Sequence, residues 1–212
     1  QWTKTKTSWV SSGIWRGLRS DAQIPEGAGI HVVVDAAYSF DCTAVSWAWR
    51  DPDGERAVLR SHVWSVRDDA PAHVHVPGGR LINEQLVEPF IHELARHFRV
   101  IDIAFDPRLF AAESEHLARD GFVIFPIHPQ SREMDDAVNE AYKAVLAGKV
   151  AHDGDEVLAS HVEATAGVRT ERGWRIYKAQ HARPIDATVA SCVAVWRALT
   201  ADSGTWAGPV VV

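Results

Sequence analysis

Three aspartates, Asp35, Asp106 and Asp186, stand at positions where an acid is costly unless it is used. Asp35 directly follows Val32-Val33-Val34, Asp106 follows Ile103-Ala104-Phe105 at the end of the strand-like run Val100–Phe105 ahead of Pro107, and Asp186 follows Pro184-Ile185 at the head of a helical pattern. A carboxylate taken out of water needs a partner, and buried charge is a clue to a site. Three converging carboxylates repel one another unless a cation neutralises them. Hard oxygen ligands favour Mg²⁺ or Mn²⁺. Two such ions about 3.5–4 Å apart can activate a water and stabilise the leaving oxygen of a phosphodiester. Each acid also has a plainer reading: Asp35 as a strand-end residue, Asp106 as a turn initiator or helix cap, Asp186 as a helix-dipole acid.

Further residues surround this set. Asp102 lies four positions before Asp106 and shares its face of a regular strand, so it is the rival for the second acid. Asp41 reads as structural or as support behind the site. His152-Asp153 resembles a metal-binding dyad without further histidines at suitable positions, which leaves a loop role or an outer contact. Lys178 could meet a phosphate. Arg80, Arg108, Lys149 and Arg183 flank the expected edge and could form a DNA track. His73 and His75 alternate on an extended stretch, but no Cys pair supports a zinc site.

Positioning these acids takes a particular order of elements. His31–Ala36 is a β-branched run suited to a strand buried on both faces. Thr43–Arg50 alternates, Asp51-Pro52-Asp53-Gly54 is a turn, and Arg56–Val66 reads as a third strand, so an antiparallel meander is expected. Leu86, Phe90 and Leu94, with Val87, Ile91 and Phe98, mark an amphipathic helix over about Leu81–Phe98. Val100–Phe105 is a fourth strand, a short helix stops at Gly121, and Phe122–Ile127 is a fifth strand. Met134, Val138, Ala141 and Val145 mark another helix, closed by Gly148. After His152–Asp155 the pattern weakens to one helix ending near Ala164 and a hairpin through Glu171–Gly173. Ile185, Val189, Cys192, Trp196 and Leu199 mark the last helix. The fold class is therefore α/β: a mixed sheet, three antiparallel strands then βα units, flanked by helices. Ligands of such sheets gather at the carboxyl ends of the strands, where Asp35 and Asp106 fall.

Residues 1–29 differ from the rest. They hold Trp2, Trp9, Trp15 and the breaker stretch Pro25–Gly29, and read as an arm and linker ahead of a domain over 30–212. At 212 residues and 46% hydrophobic, the chain can build one compact core and is too apolar to be disordered. Charged residues interrupt every window of about 18–20 positions, which excludes a membrane-spanning helix. Cys42 and Cys192 sit among apolar residues and read as reduced core thiols of a cytoplasmic protein. A net charge of −6 excludes a wholesale basic nucleic-acid binder, though not an enzyme with carboxylates in its site and Lys/Arg around it. No Gly-x-x-x-x-Gly-Lys-Ser/Thr loop or Gly-x-Ser-x-Gly elbow is present, which argues against a P-loop ATP site and a serine hydrolase.

The stretches Val32-Val33-Val34-Asp35-Ala36-Ala37-Tyr38-Ser39-Phe40-Asp41-Cys42-Thr43-Ala44, Ile103-Ala104-Phe105-Asp106-Pro107, Leu146–Gly154 and Lys178–Ala187 together carry a resemblance. In order and spacing the chain resembles the C-terminal nuclease domain of the terminase large subunit of tailed double-stranded DNA phages. Gln1-Trp2, Trp9 and Trp15 resemble the segment linking that family's ATPase domain to its nuclease. The resemblance implies a ribonuclease H-like fold with Mg²⁺ or Mn²⁺, as two ions, held by Asp35, Asp106 and Asp186. It implies an endonuclease that cuts concatemeric viral DNA in the host cytoplasm, partnered by an upstream ATPase domain, a terminase small subunit and a portal protein. The family often has Asn shortly after the histidine of the segment around His161; Glu163 and Ala164 stand here instead, so that segment carries no expected function. Alternatives on the same fold are a Holliday-junction resolvase or transposase-like nuclease, and a catalytically dead docking module.

Overall fold

The computed structural model describes residues 7–37, 42–53, 55–81, 83–171, 173–179 and 183–201. In chain order the elements are β1 (Thr7–Ser8), α1 (Ser12–Arg16), β2 (Gly29–Asp35), β3 (Cys42–Asp51), β4 (Arg56–Ser65), β5 (Val74–His75), α2 (Asn83–His97), β6 (Arg99–Phe105), α3 (Pro107–Arg119), β7 (Ile124–Pro126), α4 (Arg132–Leu146), β8 (Val150–His152), α5 (Glu156–Glu163), β9 (Thr165–Thr170), β10 (Gly173–Lys178) and α6 (Asp186–Thr200).

The central sheet runs β5-β4-β3-β2-β6-β7, with β8 also paired to β4. The meander is present: β2, β3 and β4 are antiparallel neighbours. The crossover through α2 then brings β6 parallel to β2, and α3 brings β7 parallel to β6. Gly121, at φ 94°, follows the end of α3 and takes the left-handed conformation that an L side chain resists.

Strand alternation divides the core between the two faces. Ile30, Val32, Val34, Val45, Ile103 and Phe105 pack with Val87, Ile91 and Leu94 of α2 and with Phe110 and Leu117 of α3. Val33, Ala44, Ala48 and Ala104 pack on the other side with α4, α5 and α6. The contact with α6 is made by small residues, Ala44, Ala48 and Ala104 from the sheet and Ala187, Ala190, Ala194 and Ala198 from the helix, all nearly or fully buried. Short side chains let a helix backbone approach the sheet closely, and α6 is buried almost all round as a core helix is.

The described part of the N-terminal arm is folded into this domain. Trp9, Val10 and Trp15 belong to the core under α4–α6. β1 pairs with β9 in a second sheet, β1-β9-β10, whose β9–β10 pair is the expected hairpin. β5 and β8, at two and three residues, had no expectation as strands; each adds to β4. Among the described residues no helix is long and apolar enough to cross a membrane.

Candidate active-site edge

Register decides which acids share an edge. Across the parallel β2–β6 pair, Val34 lies opposite Phe105, so Asp35 and Asp106 leave neighbouring strands at the same level. Alternation decides the face. Val33 and Ala104 lie in the core beneath α4–α6, and Asp35 and Asp106 follow each of them by two residues, on that same side.

The third acid arrives on α6. Ser46, opposite Val33 in the β2–β3 pairing, places its Oγ 3.4 Å from the Ala187 carbonyl and 3.1 Å from Ser191 Oγ. The first turn of α6, which carries Asp186, therefore lies over the carboxyl end of β2. At the other end of α6, Arg197 Nη2 donates to Asp102 Oδ2 at 2.5 Å. Asp35, Asp106 and Asp186 are all half-buried, at the margin between core and solvent.

Asp102 has a different environment. It is buried, accepting from His31 Nδ1 at 2.9 Å as well as from Arg197. Burial pushes its carboxyl upward, but the hydrogen bonds and charges of His31 and Arg197 outweigh that and hold it below the ordinary range. Its partners close it off from the edge, where Asp106 stands. Asp106 caps α3 by accepting from the Arg108 amide at 3.1 Å. Its oxygens also receive the Arg108 side chain, Nη2 to Oδ2 at 2.7 Å. Burial raises this carboxyl too, and Arg108 overcomes the effect, so Asp106 is held low and ionised. Among the described residues no three His, Cys, Asp or Glu side chains already form a group that could hold a metal ion.

The other expected residues scatter. Asp41 lies outside the described residues. His152 is buried in β8, its Nε2 donating to the Trp15 carbonyl at 2.9 Å and its Nδ1 accepting from the Gly154 amide at 3.0 Å. Its ring stacks on Trp15 at 4.4 Å, so it anchors the arm, separated by β4 and β3 from the acids. Lys178 ends β10, opposite Thr165 and half-buried. Lys149 does not flank the edge: it pairs with Glu55 beside the start of β4, level with the amino end of β2. The β-meander turns the chain over, which puts that residue at the opposite pole. Arg183 remains near, bonded to Ser160.

Two supports of the edge had no sequence expectation. The Thr43 hydroxyl receives the Ala37 amide at 2.9 Å and lies 3.1 Å from Asn83 Oδ1, fastening the chain just after Asp35. His161, fully buried, bonds both the first turn of α6 and the Pro71 carbonyl.

Comparisons with known proteins fit this architecture. Residues 65–202 match the family described as terminase large subunit, endonuclease domain. That stretch contains Asp106 and Asp186; Asp35 precedes it. Nothing among curated protein sequences matches the chain. The large terminase of bacteriophage HK97 superposes with a TM-score of 0.76 at 19% identity, over 91% of this chain and 44% of that one. The large terminase nuclease of thermophilic phage G20c with bound magnesium gives 0.57 at 13% identity, over 84% and 90%. The large terminase of another thermophilic bacteriophage, in complex with ATP-γ-S, gives 0.57 at 10% identity, over 80% and 40%. The chain thus spans less than half the length of the HK97 protein. At such identities these likenesses speak for the fold, a mixed sheet flanked by helices of the ribonuclease H-like kind. By its matched stretch, more than half of its length, the chain belongs to the endonuclease-domain family of phage terminase large subunits.

Proposed function

We propose that this chain is a divalent-metal-dependent DNA endonuclease domain that cuts concatemeric phage DNA during genome packaging, with Asp35, Asp106 and Asp186 as its working acids. The observation that supports the proposal is that β2, β6 and the first turn of α6 bring the half-buried residues Asp35, Asp106 and Asp186 to the same end of the sheet.

The donor set fits Mg²⁺ or Mn²⁺, being carboxylate oxygen throughout. Asp35 and Asp186 would be the principal holders and Asp106 a further one, its carboxylate passing from Arg108 to the ion. When bound, two ions would supply an activated water and a counter-charge for the leaving oxygen of the phosphodiester. The chain's own residues prepare for this. Arg108 keeps Asp106 ionised, and the α6 helix dipole favours negative charge at Asp186. The ties from Ser46 and from Arg197 to Asp102 hold α6 in place along the sheet. Arg108 and Arg183 stand at the same edge to receive phosphate. The bound magnesium of the G20c nuclease and the ATP-γ-S of the other thermophilic phage's large terminase support a metal-using nuclease that works beside an ATPase domain joined through residues 1–29. The small subunit, the portal and the host cytoplasm complete the proposed setting.

Asp35→Asn and Asp186→Asn are each expected to reduce plasmid cleavage in Mn²⁺ to background while the melting temperature stays near that of the parent. A fully active Asp35→Asn variant refutes the assignment. Mn²⁺ binding that ignores both substitutions would leave a docking module on the same fold.

A further inference from the structure

The helix that carries Asp186 begins without a cap of its own. Its N-cap residue, Ile185, has no side-chain oxygen to offer the first-turn amides. The missing acceptor comes from another helix. His161, in the last turn of α5, accepts the Ala187 N–H on Nδ1 at 3.1 Å. Its Nε2 lies 3.2 Å from the Pro71 carbonyl, to which it donates. A carbonyl can only accept and an amide can only donate, so the two contacts assign the ring hydrogen to Nε2 and the lone pair to Nδ1. The Thr165 hydroxyl donates to the His161 carbonyl at 2.8 Å and fixes the end of α5 from which the ring projects. His161 and Thr165 are both fully buried, so water cannot substitute for a lost bond. Ala187 is the residue directly after Asp186, and its N–H belongs to the peptide that joins the two.

We propose that His161 is a positioning residue for Asp186: through Nδ1 it fixes the Asp186–Ala187 peptide and thereby the direction in which the carboxylate meets a divalent ion. This rests on the reading of Asp186 as a metal-holding acid. The imidazole touches neither substrate nor ion; it acts only through the peptide it holds.

Two isosteric substitutions separate the contacts. In His161→Asn the amide oxygen falls near the place of Nδ1 and can receive the Ala187 N–H, while the link to Pro71 is lost. In His161→Gln the amide nitrogen falls near the place of Nε2 and keeps Pro71, with no acceptor left for Ala187. Mn²⁺ titration by calorimetry is expected to show H161N within about threefold of the parent and H161Q weakened by about tenfold or more, the scale seen when a ligand loses its outer support. With plasmid DNA, H161Q should lose kcat and retain KM. Equal losses in both variants, or parental Mn²⁺ affinity in a folded H161Q, overturn the proposal. A measurement on the unmutated chain guards against a variant that does not fold: during Mg²⁺ titration the ¹⁵N resonance of His161 Nδ1 and the Ala187 amide should move along one saturation curve, and a His161 signal indifferent to saturating Mg²⁺ overturns it. Asp186→Asn distinguishes the two levels. If it leaves Mn²⁺ binding intact, the reading of the site fails; if it abolishes binding while H161Q binds normally, only the role of His161 fails.

Discussion

The Asp106 carboxylate is held by Arg108, and under the proposed function it would pass from Arg108 to a divalent ion. Its bond to the Arg108 side chain is short, but that side chain is 60% exposed, and solvent screening leaves exposed ion pairs weak. A divalent ion beside several carboxylates is the stronger competitor. Arg108→Ala is therefore expected to raise Mn²⁺ affinity by up to about fivefold, the scale of a weak exposed pair. It should also raise KM for DNA if Arg108 then meets phosphate. Calorimetry of the variant checks the first effect, and weaker Mn²⁺ binding would show that Arg108 orients Asp106 instead of competing for it. At this scale the sequence is legible where chemistry and apolar context clash. Asp35 after three valines and Asp106 after Ile103-Ala104-Phe105 announce themselves. Asp102 shows the limit of that signal. Its apolar context is as strong, and only the arrival of Arg197 from α6 and of His31 from β2 makes it a structural ion pair. His161 was silent because its partners, Pro71 and Ala187, are backbone atoms distant in sequence. One clue was available: Arg183-Pro184-Ile185 supplies no Ser, Thr, Asn or Asp at the cap position of α6, so the helix needed an acceptor from elsewhere.

At the scale of elements, long periodic segments were readable and short ones were not. The valine run of β2, the alternation of β3 and the four-residue spacing in α2 each carry enough residues to show a period. β1, β5 and β8 hold two or three residues each, and their strand character comes from the edges of β4 and β9 to which they attach. The face that α6 turns to the sheet was hidden for another reason: it is alanine, which marks neither core nor surface, while the larger Val189, Trp196 and Leu199 that drew attention are only partly buried. Pro25–Gly29 breaks the chain and marks residues 1–29 off as an arm, while Trp9 and Trp15 of that arm lie in the core. Trp15 is 3% exposed and stacks on His152. Trp15→Ala should lower the free energy of unfolding by about 3–5 kcal/mol, read from urea denaturation. A change below about 1 kcal/mol, the level of ordinary surface substitutions, would mean that the arm does not belong to the folded unit.

At the scale of the whole molecule, pH reports how histidines tie the helices to the sheet. His62, on β4, stacks on Phe90 of α2 at 4.9 Å and on His73 at 4.8 Å. His73 in turn donates to Asp155, the cap of α5, so this cluster joins elements from both faces. Burial first, then the neighbouring His73, pushes the His62 imidazole down to about 4, while Asp155 opposes the shift. A folded value below the unfolded one means that the unfolded chain binds the extra proton between them. Stability therefore falls as pH drops from about 6.5 toward 4 and is unaffected by this group above that window. His152, also lowered by burial, adds in the same direction. Asp102, Asp106 and Asp155 are depressed, so their contributions persist above the ordinary carboxylate range and vanish only in stronger acid. The interval from about pH 6.5 to about pH 5 thus isolates the histidines. His62→Phe keeps an aromatic ring against Phe90 and Trp64 and removes the titration. The drop in melting temperature across that interval should be smaller in the variant than in the parent, at equal ionic strength. An unchanged slope would mean that His62 is protonated in the folded chain, and with it the cluster linking α2 and α5 would carry a charge that its aromatic surroundings oppose.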